Sequence, residues 1–429
     1  MIDIKLIREN PEIIEKDLKK RKDTEKLKSF EQLIKDDQEY RKNLFSLQKL
    51  RHSKNIITKE ISQLKKQNKS ISKKVKELQD LPKKIKVIEE KVNKLKEKIH
   101  FVFMQIPNIM HKSVPYGKDE SENKEISTYG KPKKKFPFKL KSHGEAAEDL
   151  GVIDFKNGTK AAGKGFFYHI GDFALLNRAL INFTVDELTK KGYTYVEPPY
   201  MINRAVVDGV TDYEFFKDMI YKAEGEDLHL IATSEHPLMG LFMNTTISEE
   251  KLPIKLCSYT VCFRKEIGSH GVDEKGIFRA HQFHKVEQVI ICKPEDSWKY
   301  HEELRQNIED IHKKLETPYR IVNICTGDLG IVAAKKYDLE VWSPRKNKYI
   351  EAGSCSNCTD YQCRRLNIKY GRPGMANNPF AHSLNCTAVA TSRTLVNIME
   401  ERQQKDGTIE VPKVLQKYMF GKKVVKNGL

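Results

Sequence analysis

SYTVCFRKEIGSHGVDEKGIFRAHQFHKVEQVII, residues 258–291, decides how the rest of this 429-residue sequence is read. Two alternating segments flank a loop holding Gly268, Gly271 and Gly276, the pattern of a long β-hairpin. Side chains alternate along a strand, so Cys262, Arg264 and Glu266 share one face of the first segment. Arg279, His281, Phe283, Lys285 and Glu287 share one face of the second. Arginines, an aromatic ring and carboxylates thus line a single sheet surface. A solvent-facing sheet would disperse such charges, and a core sheet would be apolar there. The planar guanidinium fork suits phosphate, and Phe offers a base a stacking platform. A carboxylate accepts from an exocyclic amine or an ammonium. This surface can take a nucleotide and an amine-bearing small molecule side by side. The competing reading is an exposed ladder of cross-strand ion pairs.

Working outward, the composition is globular from about residue 166, which sets a core over 166–429. Leu175, Leu176, Ala179, Leu180, Phe183, Val185 and Leu188 have helical spacing, and YTYVEPPYMI is strand-like. Later strands are separated by whole helices with no regular βαβ rhythm, which predicts an α+β domain on a largely antiparallel sheet. Residues 105–165 are rich in Pro, Gly, Lys and Ser and read as a linker or junction with short strands at most.

Residues 1–104 differ in kind. From 27 to 104 there is no Gly and one Pro. Ile71, Val75, Leu78, Leu81, Ile85, Ile88, Val92, Leu95, Ile99 and Val102 step by threes and fours, a heptad seam with one irregularity beside Pro82. Leu27, Phe30, Ile34, Leu44, Leu47, Ile57, Ile61 and Leu64 form a weaker first half, and Lys65–Ser70 is a polar reversal point. The prediction is an antiparallel helical hairpin with about 35 residues per arm, a rod of ~50 Å. Residues 1–100 carry 29 Lys+Arg against 17 Asp+Glu, so this segment supplies +12 of the formal +18. A polyanionic partner is the economical reading, and a solvated helix face the bland one.

Other classes are set aside. No run approaches the ~18 apolar residues of a membrane span. The N-terminal MIDIKLIRENPEIIEKDLKKR mixes acid and base without the apolar region of a secretory peptide. All eight cysteines follow residue 256 with no evident disulfide framework, which suits a reducing cytoplasm. Cys355, Cys358 and Cys363, with Cys386 or His382, resemble zinc spacing, but only one close pair exists and no zinc is expected. His270, His281 and His284 read as ordinary hydrogen-bonding histidines, and Met239 and Met243 as core.

The hairpin resembles motif 2 of the class II aminoacyl-tRNA synthetases. FRKE followed by FRAHQFHKVEQ is similar to the seryl-tRNA synthetase family in particular. IDIKLIRENPE and IPNIMHKSVPYGKDESEN resemble that family's start and arm-to-core junction. ALINFTVDELTKKGYTYVEPPYMI resembles motif 1, IATSEHPL the serine-pocket segment, and LNCTAVATSRTLVNIMEERQQKDGTIEVP motif 3. The resemblance implies a class II antiparallel-sheet catalytic domain behind a coiled-coil arm. It also implies ligation of L-serine to serine tRNA with ATP and Mg²⁺, through an adenylate, by a cytoplasmic homodimer formed through motif 1. Selenocysteine tRNA is kept open as a second acceptor.

Carried over position by position, Arg264 would meet the α-phosphate and the substrate carboxylate, and Glu266 the adenine amino group. Arg264, Glu266 and Arg393 form the implied catalytic set. Phe283 would stack on adenine with Arg393 on the other side, Ala280 would meet ATP through its backbone, and Lys265 lies among them. Thr233, Ser234, Glu235, Glu287 and Thr387, with Arg264, would hold serine. Glu351, Ala352, Gly353 and Ser354 would face ATP, with Glu351 and Ser354 toward Mg²⁺. Lys65, Lys66, Lys69, Lys73 and Lys74 at the arm's tip are the tRNA-contacting candidates. Ser392 is expected to cap the helix that carries Arg393. Gly353 stands where the family often has a hydroxyl residue. Two other readings are an amino-acid-activating paralogue that loads a carrier protein and a coiled-coil nucleic-acid binder with a zinc module. The first does not need the basic arm, and the second leaves the Arg264/Glu266/Phe283/Glu287 surface unused.

Overall fold

The computed structural model describes residues 1–266, 276–375, 377–426 and 428. Gly268, Gly271 and His270 of the hairpin loop lie outside the described residues. The chain divides into two compact units, Met1–Pro107 and Asn108–Leu429.

The first unit is all helical. Ile4–Glu9 and Pro11–Arg21 precede a 43-residue helix, Thr24–Lys66, and the return runs through Ser72–Gln79 and Leu81–Gln105. The reversal falls where the polar stretch places it, and Asn68 turns it with a left-handed φ of 52°. The outgoing helix is longer than expected because Asp23 caps it early, its Oδ1 accepting from the Lys26 amide at 2.9 Å. At ~1.5 Å per residue it spans roughly 65 Å. The heptad irregularity has a direct cause. Pro82 occupies the first turn of Leu81–Gln105, where its missing N–H costs nothing, and the helix before it stops at Gln79. Phe30, Leu33, Leu47, Val92 and Phe103 are buried in the seam, while none of residues 48–91 is buried. Toward the tip the two helices are joined by ion pairs such as Arg51–Glu89 at 2.6 Å and Lys74–Glu60 at 2.9 Å. Exposed pairs of this kind contribute about 0–1 kcal/mol each.

The second unit is built on one eight-stranded sheet. Its strands are β1 (Lys124–Tyr129), β2 (Thr194–Tyr195), β3 (Ile254–Phe263), β4 (Gln282–Cys292), β5 (Tyr319–Asn323), β6 (Lys335–Ser343), β7 (Lys348–Asn357) and β8 (His382–Ala390). The order across the sheet is β1-β5-β6-β7-β8-β4-β3-β2. Neighbours are antiparallel except β2 and β3. The segment read as a linker contributes β1 to the sheet edge and the helices His143–Asp149 and Phe155–Ala162. Within the same segment the Asn108 amide donates to the carbonyls of Val332 and Cys358 at 3.0 and 2.8 Å.

The two sheet faces differ sharply. One carries Val286 and Ile290 into a core with Phe173, Leu176, Leu180 and Phe183 of helix Gly171–Lys190, and with Leu304 and Ile308 of helix Ser297–Lys314. That burial follows from the helical spacing of the apolar residues. On the other face Val289 and Ile291 pack under the short helices Arg204–Val210, Glu235–Gly240 and Tyr361–Leu366. Beyond this second cluster the same face becomes polar, and that change positions the site. Among the described residues, no helix is long and apolar enough to cross a membrane.

Candidate active site

Cross-strand partners project to the same side, so the register places the polar residues on one surface. Cys262 lies opposite Phe283, Thr260 opposite Lys285, and Ser258 opposite Glu287. Glu287 in turn faces Thr387 on β8, and Asn385 faces Ser356 on β7. Ser354 faces Asp338 and Glu351 faces Glu340 on β6. The shift between Leu339 and Glu340 leaves Ala352 as an extra residue, which returns Glu351 to the face of Ser354. One surface therefore runs from Phe283 through Glu287 and Thr387 to Ser354, Glu351 and Asp338.

Its first part is a pair of carboxylates under partial compensation. Glu287 is 1% exposed and forms an ion pair with Lys285. The hydroxyls of Thr233 and Thr387 donate to its Oε2 at 3.3 and 3.4 Å. Glu235 accepts from Gln362 at 2.6 Å and Asn385 at 3.0 Å. Burial, and then the nearby Glu287 charge, push the Glu235 carboxyl up to about 7, while Gln362, Lys285 and Arg264 pull the other way. Among the described residues, the buried Ser234 hydroxyl has no hydrogen-bond partner. A small cation placed between Glu235 and Glu287 would find negative charge and hydroxyl acceptors together. His236 is buried and held neutral, its pKa lowered to about 3 by burial and by the charges of Lys285 and Arg264.

Arg264 leads out of β3, its Nε and Nη2 donating to the Ala232 carbonyl at 3.3 and 3.2 Å. Its guanidinium carbon stands 5.2 Å from the Phe283 ring centre, a cation–π contact that flanks the platform. The alternation expected through Glu266 and Arg279 stops short of both. β3 ends at Phe263, Glu266 takes a left-handed φ of 48°, and β4 begins only at Gln282. Arg279 is exposed in the bends before β4 and Ala280 is buried. Lys265 sits 5.6 Å from the Tyr221 ring. The His281 Nδ1 is engaged with the Tyr221 hydroxyl at 2.6 Å, an ordinary hydrogen bond as anticipated.

At the far end Arg393 donates to the Glu351 carbonyl at 2.9 Å and pairs with its carboxylate at 3.2 Å. Burial alone would raise Glu351, but Arg393, Lys336 and Arg264 more than offset it and hold the group below the usual range. Arg393 lies in the first turn of helix Thr391–Glu401, yet Ser392 does not cap it. β8 runs straight into the helix, so Ala390, whose side chain cannot accept a hydrogen bond, occupies the cap position. The ring beside Arg393 is Phe278, 5.7 Å away, which sequence reasoning did not single out. Gly353 has a packing reason. A Cβ there would come within 2.8 Å of the Ile308 Cδ1 and 3.1 Å of the Thr387 carbonyl oxygen.

Lys336 and Asp338 were also missed. They pair at 3.1 Å, and Asp338 is buried with its Oδ1 lacking a hydrogen-bond partner among the described residues. The signal was present in KKYDLEVW, where Lys336, Asp338 and Glu340 alternate with Tyr337, Leu339 and Val341. At the arm's tip Lys65, Lys66, Lys69 and Lys73 are exposed, whereas Lys74 is already paired with Glu60 and Glu77. All eight cysteines are free and buried, and Cys355 lies opposite Cys386 across β7 and β8. Among the described residues, no group of three His, Cys, Asp or Glu is arranged to hold a metal ion on its own.

Comparison with known proteins matches both units. Residues 1–110 fit the family model described as "Seryl-tRNA synthetase N-terminal domain". Residues 216–402 fit "tRNA synthetase class II core domain (G, H, P, S and T)". The serine–tRNA ligase of Methanospirillum hungatei is 48% identical over 423 residues, covering 98% of this chain and 99% of that one. The crystal structure of seryl-tRNA synthetase from Pyrococcus horikoshii complexed with ATP superposes with a TM-score of 0.92 at 44% identity, covering 100% of both chains. M. kandleri SerRS, solved in complex with A. aeolicus tRNASec, shares the fold at 15% identity with a TM-score of 0.58 over 80% of this chain and 69% of that one.

Proposed function

The chain belongs to the seryl-tRNA synthetase family, and on that premise we propose that it ligates L-serine to serine tRNA through a seryl-adenylate formed from ATP. The observation that carries this reading is the continuous polar face from Phe283 to Glu351, with an arginine–aromatic pair beside a two-carboxylate pocket. ATP is the nucleotide in the P. horikoshii complex, the 44%-identical relative.

On this reading adenine stacks on Phe283, with Glu266 accepting from its amino group and the Ala280 and Lys265 backbone nearby. Arg264 turns from the Ala232 carbonyl to bridge the α-phosphate and the serine carboxylate, and Arg393 covers the face of adenine opposite Phe283. Glu235 and Glu287 hold the serine ammonium, Thr233 and Ser234 line the pocket, and Thr387 reads the hydroxyl. The serine carboxylate oxygen attacks the α-phosphorus, the bond to the bridging oxygen breaks, and pyrophosphate leaves. No general base is needed, because the nucleophile is already ionised. Positioning and charge stabilisation carry the step. Glu351, Ser354 and the Oδ1 of Asp338, which has no hydrogen-bond partner among the described residues, are hard oxygen donors that fit Mg²⁺, which when bound would neutralise phosphate charge. The terminal ribose hydroxyl of the tRNA then takes the seryl group and AMP leaves. A small pocket of buried polar groups disfavours alanine by leaving them unpaired and threonine only by shape. The reading includes a homodimer through Ala179–Ile202, cytoplasmic action in keeping with free buried cysteines, and selenocysteine tRNA as a second acceptor.

Replacing Arg264 by Ala should lower serine-dependent ATP–pyrophosphate exchange by about 100- to 1,000-fold, and Lys should restore little, because a point charge lacks the fork. Near-native exchange in either variant would remove Arg264 from the chemistry. Serine binding should release protons near neutrality. The ammonium favours ionised Glu235, so its raised pKa of about 7 falls on binding and serine affinity rises with pH through that value. Calorimetry in two buffers of different ionisation enthalpy reads this, and Glu235→Gln should abolish it. Absence of proton uptake by the buffer would remove Glu235 from the ammonium site. For the arm, a Gly/Ser loop in place of residues 30–102 should leave exchange nearly intact while transfer to serine tRNA collapses. Transfer at the intact rate would mean that the arm is not the tRNA-binding element.

A further inference from the structure

Residues 130–144 of the catalytic unit read GKPKKKFPFKLKSHG, with Lys131, Lys133, Lys134, Lys135, Lys139 and Lys141 and no acidic residue. All six lysines are exposed. Lys141 pairs with Asp149 at 2.5 Å. Among the described residues, no carboxylate stands within ion-pair distance of the other five. The segment is nonetheless fixed to the core. The Trp342 indole Nε1 donates to the Lys133 carbonyl at 3.3 Å, and the Lys141 amide donates to Gln403 Oε1 at 2.9 Å. Phe136 and Phe138 pack edge to face at 5.7 Å, and the Lys133 ammonium lies 4.1 Å from the Phe136 ring centre. The anchor also sets the location. Trp342 lines one small cleft with Phe278, Glu351 and Arg393, and the Lys134 ammonium stands 5.8 Å from the Trp342 ring centre.

We propose that the strap Lys131–Lys141 is a phosphate-contacting rail for the acceptor helix of the tRNA, holding it where its terminal ribose enters the site. This rests on the tRNA-ligase reading given above. A spacer that only connected the β1 edge to helix His143–Asp149 would gain nothing from crowding five lysines that, among the described residues, form no close ion pair and repel one another. A polyanion relieves that repulsion. Because the backbone is already anchored at Lys133 and Lys141, little ordering entropy is lost when phosphates bind. Lysine stems position a backbone without reading bases, as sequence-independent contact to a duplex requires. Charge alone would also attract an anionic membrane surface, but the strap's anchorage beside the cleft of Glu351 and Arg393 favours the tRNA. A single nucleotide is too small to engage charges spread over so long a segment.

The test uses the full-length chain with Lys131, Lys133, Lys134 and Lys135 changed together to Gln, and in parallel together to Arg. Binding of serine tRNA and of a duplex containing only its acceptor stem is measured between 50 and 200 mM salt, with serine-dependent pyrophosphate exchange as the control without RNA. The Gln variant should bind both RNAs about 10-fold more weakly, with the log–log salt slope shallower by about 2–4, since each released counterion contributes about 0.9. The Arg variant should bind like the native chain, and exchange should be the same in all three. An unchanged salt slope in the Gln variant overturns the proposal. So does binding of phosphatidylserine vesicles that depends on these lysines while RNA binding does not. Absence of serine-dependent exchange in the native chain would instead overturn the ligase reading and leave the strap's affinity for RNA to be judged by the slope alone.

Discussion

Burial of Glu287 is the constraint on which the rest of the site depends. A carboxylate that is 1% exposed must be compensated, and here Lys285, Thr233 and Thr387 each supply part of the compensation. Those partners come from two strands and the segment before helix Glu235–Gly240, so satisfying one charge fixes three separate pieces of chain. The second carboxylate, Glu235, lies beside it, and burial and then the Glu287 charge raise its pKa to about 7. On the proposed reading these two acids give an incoming ammonium a favourable place to stand. The remainder of the face carries Arg264 over Phe283 and Arg393 against Glu351, which the proposed reading assigns to the nucleotide.

That division of labour explains why the molecule has two kinds of structure. The catalytic unit needs a wide antiparallel sheet because its functional groups must lie on one surface at fixed spacing, and period-two alternation provides that spacing. A rod needs only a seam. Phe30, Leu33, Leu47, Val92 and Phe103 fasten the half of the helical hairpin nearer its base, and beyond them the pair holds together with no buried residue from 48 to 91. Such a tip contributes little to folding stability and is free to carry lysines for another purpose.

Much of this was legible in the sequence, for physical reasons that also mark where legibility ended. The 258–291 hairpin could be read because charges at alternate positions are rare in an apolar strand. The arm could be read because heptads persist, and Pro82 announced its own break. Local periodicity could not say where β3 stops, so Glu266 and Arg279 were placed on a continuous face that the left-handed turn at Glu266 and the late start of β4 interrupt. Nor could it foresee that β8 would enter its helix without a loop, which removed Ser392 from the cap. Lys336 and Asp338 carried the same alternating signal as the hairpin. Their place on the face depends on a register with Ser356 and Ser354 that no local pattern contains.

The central claim is that one sheet face seats the ammonium and the nucleotide side by side. A crystal structure of the full chain with a non-hydrolysable sulfamoyl analogue of seryl-adenylate tests it most directly. The account predicts the ligand's ammonium within hydrogen-bond distance of both Glu235 and Glu287, its hydroxyl at Thr387, its base stacked on Phe283, and Arg264 released from the Ala232 carbonyl to the bridging group. An analogue bound away from this face, or bound on it with the ammonium turned from the two carboxylates, would contradict the account.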